Sequence, residues 1–128
     1  MHDPEFLSWE IIEQLHEDSL RLWGGTPGVR DRGQVESAIG AAQFTWIYGG
    51  TTFDVAASYA FHIAEAQAFL DGNKRTAVAA ALLFLAGCGH ARFVDDGRLY
   101  DAMIDVAARR LDKKGLADLL QNFVERKK

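Results

Sequence analysis

A chain of 128 residues, 48% hydrophobic and 25% charged, has the length of one domain and enough apolar content for a proper core. Its net charge of −4 and pI near 5.5 give no global pull toward nucleic acid or an anionic membrane surface. The lone Cys88 excludes an internal disulfide and fits a reducing compartment, Met1 to Glu5 has no signal-peptide character, and the longest apolar run, Ala77 to Gly87, is too short to span a bilayer.

Phe6-Leu7-Ser8 opens a first helix. Ser8 suits an N-cap, Leu7 can staple against Ile12, and Ile12, Leu15, Ser19 and Leu22 recur at helical spacing. Glu10, Glu13, Glu17 and Asp18 form a solvated face rather than a set of catalytic acids. Gly24-Gly25 ends this helix, and Thr26 to Asp31 is loop with the turn signal Pro27-Gly28. Asp31 can cap a second helix from about Arg32 to Phe44, with Val35, Ile39 and Ala42 inward. Arg30 and Arg32 read as surface charges, with a contact to a target or a nucleotide as the alternative. Trp46 to Phe53 changes character: aromatic and β-branched residues flank Gly49-Gly50, a hairpin signature. A plain hydrophobic loop folded onto the core fits that stretch equally. Asp54 can cap a third helix from Val55 to Phe69. Tyr59, Ile63 and Gln67 then share a face, and Gln67 stands at the helix end.

The polar loop that follows separates two apolar segments. Asp71, Asn73, Lys74 and Arg75 crowd around Gly72, which suits a turn with positive φ. The backbone N–H groups from Asn73 onward would open the next helix, and a helix start is a ready anion site. Lys74 and Arg75 add donors suited to phosphate, and Asp71 is a hard-cation ligand by type. The physical reading is a nucleotide-phosphate cradle with a metal ion. An ordinary inter-helix turn with a solvated Lys-Arg pair is the competing one. The spacing is not that of a Walker loop, and the chain has no Gly-x-Gly-x-x-Gly.

A fourth helix, about Lys74 to Ala86, is apolar all round and belongs in the middle of a bundle. Gly87-Cys88-Gly89 ends it, and Cys88 reads as a buried inert thiol. Arg92-Phe93-Val94 reads as a short extended piece. A fifth helix starts near Asp96 or Gly97, with Leu99, Met103 and Val106 inward. A sixth carries Leu116, Leu119, Leu120 and Phe123, before a frayed tail from Glu125 to Lys128. The expected fold is all-α: one domain over residues 1–128, a compact bundle of about six helices, with a small hairpin flap left open.

Phe69-x-Asp71-Gly72-Asn73-Lys74-Arg75-Thr76 resembles the signature loop of the Fic/Doc family in its Doc (death-on-curing) branch. Trp23-Gly24-Gly25-Thr26-Pro27-Gly28-Val29-Arg30-Asp31 is similar to a second segment of Doc toxins. Leu15-His16 and Ala81 to Leu85 also fit, so the likeness covers most of the chain. The resemblance implies a cytoplasmic toxin with an antitoxin in trans. Its chemistry would be ATP- and Mg²⁺-dependent modification of a hydroxyl on a protein target, of which the translation machinery is one candidate; membranes and direct nucleic-acid binding are not expected. Lys74 in place of glycine resembles the branch that transfers the terminal phosphate rather than AMP. By the same resemblance Asp71 would hold the Mg²⁺. Gly72, Asn73 and Lys74 would line the phosphates, Arg75 would clamp them, and Phe69 would anchor the loop. The stretch Trp46 to Phe53 would be the flap that lays a target segment beside the loop.

One departure bears on catalysis. The family's base is a histidine two residues before the phenylalanine, and this chain has Gln67 there. A carboxamide has no nitrogen that titrates near neutrality, and losing a general base typically lowers a rate by about two to four orders of magnitude. Positioning and phosphate electrostatics can outlast that loss. His62, on the same helix, would lie about 140° around the axis from Gln67 and about 7.5 Å back, too far to substitute. Glu65 falls on a different side and is a weak replacement. A catalytically degenerate Doc-fold protein that binds a nucleotide or a partner is therefore the alternative function.

Overall fold

A computed structural model describes residues 3–90 and 93–126. It has six helices: α1 (Trp9–Trp23), α2 (Arg32–Ile47), α3 (Thr52–Ala66), α4 (Asn73–Gly87), α5 (Arg98–Ala107) and α6 (Lys113–Arg126). Arg92 of the expected extended piece and Lys127-Lys128 of the tail lie outside the described residues. Phe93 and Val94 form no strand.

The antiparallel pair α3 and α4 forms the centre, with α2 and α6 packed on α3 and α1 on α4. Tyr59, Ile63, Phe84 and Leu85 are fully buried between these elements. The Tyr59 hydroxyl accepts the Leu7 N–H at 2.9 Å, which ties the segment before α1 to the central pair. Burial pushes that hydroxyl's pKa up to about 12, so it stays a neutral phenol. Ser8 caps α1 as its position suggested, accepting the Ile11 N–H at 3.2 Å. The inward stripe of α1 is Ile12, His16 and Ser19, while Leu22 is 75% exposed, against the expectation that it joins the core.

No hairpin forms among the described residues. Trp46 and Ile47 continue α2 by one more turn, and Gly49-Gly50 terminates it. The Gly49 N–H bonds the Trp46 carbonyl, the Gly50 N–H bonds the Thr45 carbonyl, and Gly49 has φ +90. That is a Schellman cap, which asks for the same glycines as a tight hairpin. Thr51, not Asp54, is the N-cap of α3. Its hydroxyl accepts the Asp54 N–H while the Asp54 carboxylate accepts the Thr51 N–H, a reciprocal capping box that moves the start three residues back. Asp31 holds the N-cap position of α2, but its side chain makes no capping bond. At α5 the carboxylate that caps is Asp95, accepting the Leu99 and Tyr100 N–H groups at 2.9 Å each.

Candidate functional site

The loop between α3 and α4 is held on three sides. α3 stops at Ala66 because Gln67 turns left-handed, at φ 53 and ψ 46. From there the chain runs antiparallel to residues 28–31. The Arg30 and Asp31 N–H groups both bond the Ala68 carbonyl, and the Leu70 N–H bonds the Gly28 carbonyl. From within, the Asn73 carboxamide closes the loop, accepting the Phe69 N–H at 3.0 Å and donating to the Phe69 carbonyl at 2.9 Å. From below, buried His16 donates from Nε2 to the Asp71 carbonyl at 2.8 Å, and its ring stacks on Phe69 at 3.9 Å. A carbonyl only accepts, so the Nε2 proton is fixed by the partner.

The glycines before α2 exist to let this bracing happen. Gly25 has φ +126, and a Cβ there would meet Asp71 Oδ2 at 2.9 Å and Leu20 Cδ2 at 3.0 Å. Gly28, at φ +132, would drive a Cβ to 2.7 Å from Leu70. Nothing larger than glycine fits between this segment and the loop without displacement.

The loop delivers an open helix start. Gly72, at φ 77, is the N-cap of α4 and offers no side chain, and the first turn holds no acidic residue. Among the described residues the N–H groups of Asn73, Lys74 and Arg75 have no hydrogen-bond partner. Three aligned donors at the positive end of a helix dipole attract an anion. Lys74 makes no hydrogen bond or ion pair among the described residues, and neither does Arg75. The Arg75 guanidinium instead lies over the rings of Trp23, at 3.9 Å, and Tyr100, at 4.3 Å.

Asp71 is exposed beside this helix start. Its Oδ2 accepts the Thr26 N–H at 3.1 Å and its Oδ1 the Gly72 N–H at 2.9 Å. Those two bonds, the Thr26 one first, hold its pKa below the ordinary carboxylate value, with smaller help from the nearby Lys74 charge. The group is therefore an ionised carboxylate near neutral pH. Among the described residues no cluster of three or more His, Cys, Asp or Glu surrounds it. One carboxylate fits Mg²⁺, which commonly takes one or two protein oxygens and completes its shell with phosphates and water.

Gln67 is exposed, and its carbonyl receives Arg30 at 3.5 Å, the limit of a hydrogen bond. Because the helix ends one residue earlier, the face shared by Tyr59 and Ile63 does not extend to it. His62 faces away from the loop: its Nε2 accepts from Lys113 Nζ at 2.8 Å, beside a cavity that Glu65 also lines. Burial first, and then the Lys113 charge, lower its pKa. A cavity of about 660 Å³ is a mostly apolar groove between the end of α1, α4 and the segment leading into α5. Arg75 is the loop residue that reaches it.

Sequence reasoning counted His16, Trp23 and Thr26 toward a likeness but gave them no role at the loop, and it passed over Tyr100. The signal for His16 was available: it lies four residues after Ile12, on the inward stripe. The other three depend on contacts between distant segments.

A sequence model of the Fic/DOC family matches residues 6–85. The chain is 36% identical over 119 residues to the protein named "Protein kinase doc" of Escherichia phage P1, covering 91% of this chain and 94% of that one. It is 38% identical over 107 residues to "Toxin Doc" of Mycolicibacterium smegmatis, covering 79% and 82%.

Proposed function

The chain belongs to the Fic/DOC family, and on that premise we propose that it is a Doc-like toxin that transfers phosphate from ATP to a hydroxyl of a protein target. The single observation that carries the reading is the start of α4: three N–H groups without a hydrogen-bond partner and the cations Lys74 and Arg75 without an ion pair, among the described residues, and an ionised Asp71 alongside. The named relatives, a protein kinase and a toxin, support the reaction class and the role. The target hydroxyl oxygen bonds to the terminal phosphorus, the bond to the bridging oxygen breaks, and ADP leaves. The amides of residues 73–75 with Lys74 and Arg75 offset the charge on the phosphates. This positioning and electrostatic work is what a loose phosphoryl transition state asks for. Mg²⁺, held by Asp71, supplies further charge neutralisation when bound. Asn73 and His16 keep the loop rigid. The hydroxyl proton passes to solvent, since the Gln67 carboxamide accepts none near neutrality. Transfer of AMP at the same site is the variant reaction.

An antitoxin in trans is the expected partner. Among the described residues no helix is long and apolar enough to cross a membrane. A second reading is favoured by Gln67 itself: a degenerate member that binds nucleotide and transfers little.

ATP labelled on the α or the γ phosphate, incubated with a lysate of the host, separates these readings. Transfer of γ label above a Gln67→Ala, Arg75→Ala control supports the phosphotransferase, and α label supports AMP transfer. Nucleotide binding without transfer leaves the degenerate reading. Gln67→His is the sharper form. Histidine tolerates a left-handed backbone better than most residues, so the substitution adds no strain at φ 53. The expected result is a rise in transfer of up to about two to four orders of magnitude. An unchanged rate would mean the loop is not used as proposed.

A further inference from the structure

Arg75 is the third residue of α4, and a long side chain at a helix start ordinarily samples many rotamers in water. Here it does not lie loose. Its Cζ sits 3.9 Å from the Trp23 ring centroid and 4.3 Å from that of Tyr100, well inside the range of a cation–π contact. Both rings stand at helix ends that are themselves pinned. Trp23 closes α1, where the Gly24 N–H bonds the Leu20 carbonyl at 2.8 Å. Tyr100 lies in the first turn of α5, where its N–H bonds Asp95 Oδ2 at 2.9 Å. Rings hold a guanidinium without consuming its N–H donors, which an ion pair would do. Arg75 accordingly keeps five donors without a hydrogen bond among the described residues. Trp23 is also 63% exposed, so burial in the core does not account for a tryptophan there.

We propose that Trp23 and Tyr100 are positioning residues that preorganise the Arg75 guanidinium for phosphate. The inference rests on the reading of the α4 start as a nucleotide-phosphate site. The rings act through Arg75, so their contribution must vanish when Arg75 is absent. Removing either ring frees the side chain, and reordering it on binding weakens affinity by about two- to tenfold.

Calorimetry of Mg–ATP binding to the full chain tests this in a double-mutant cycle. Trp23→Ala and Tyr100→Leu are each expected to weaken binding by that factor, and Trp23→Phe to keep most of it. Neither Trp23→Ala nor Tyr100→Leu should weaken binding further in an Arg75→Ala background. Urea midpoints without nucleotide show that Trp23→Ala leaves the fold standing, as its exposure requires. If Trp23→Ala binds like the parent, or loses the same factor with and without Arg75, the clamp is overturned while the phosphate site stands. If the parent chain itself does not bind Mg–ATP, the phosphate site is overturned and the clamp falls with it.

Discussion

Asn73 uses both halves of its carboxamide on the backbone of Phe69, and His16 uses one ring nitrogen on the carbonyl of Asp71. Both side chains thereby brace the loop from which the three amides of the α4 start project. His62 does different work. Its Nε2 accepts from Lys113 Nζ, so the contact requires the neutral imidazole. The groups around it are Lys113 on α6 and Glu65 on α3, with the Phe61 ring edge-on at 5.4 Å. Burial and Lys113 place its folded pKa below the ordinary 6.5. The unfolded chain therefore binds the proton first as pH falls, and in that window stability must drop with falling pH. The stabilising contribution is fully present above 6.5 and is lost as pH descends through the folded value. Urea unfolding from about pH 7 to about pH 5 should show a falling midpoint in the parent chain and a shallower fall in His62→Gln, which keeps an acceptor for Lys113. Equal slopes in the two proteins would remove His62 from the pH response.

Three helices end in the same cap with different residues at the left-handed position. α2 uses Gly49 (φ 90), α4 uses Gly89 (φ 98) and α5 uses Arg109 (φ 62). In each the next residue's N–H reaches back to close the last turn, from Gly50 to Thr45, His90 to Leu85 and Arg110 to Asp105. Arginine pays a Cβ penalty that glycine does not, while glycine loses more backbone entropy on folding. Arg109 is exposed and Arg110 carries the ion pair to Asp105, so Arg109→Gly should stabilise the chain by about 0.5–1 kcal/mol. A thermal or urea midpoint that fell instead would show that the arginine makes a contact worth more than its strain. These caps also explain what was legible at this scale. Helices whose ends carry unambiguous signals, Ser8 before α1 and Gly24 after it, were readable to within a residue or so. Gly49-Gly50 was not, because a hairpin and a Schellman cap select the same pair, and only packing of Trp46 against the core decides between them. Asp54 was recognised as a capping residue but assigned the wrong half of its capping box.

At the scale of the molecule, the candidate site has no existence outside the folded state. Thr26 and Asp71 are 45 residues apart in sequence, and His16 and Asp71 are 55 apart. That separation is why the helix start proposed as a phosphate cradle could be read from residues 67–76 while the contacts that Thr26 and His16 make to it could not: local spacing reports the helix start, not what touches it. It also makes a thermodynamic prediction. A ligand that binds only the folded chain raises stability by RT ln(1 + [L]/Kd), about 2.7 kcal/mol at a hundredfold excess over Kd. For a domain of this length that corresponds to a rise in Tm of about 10 °C. Mg–ATP should therefore shift the unfolding midpoint of the parent chain in proportion to the logarithm of its concentration. Asn73→Ala leaves the amides of the α4 start in place but frees the loop that aims them. It should lower the midpoint without nucleotide, by the roughly 1–3 kcal/mol that unpaired backbone groups cost, and it should also abolish most of the nucleotide shift. The second effect discriminates. A variant that lost stability but kept the full shift would mean the amides converge without Asn73, and the rigid loop would not be what makes the anion site.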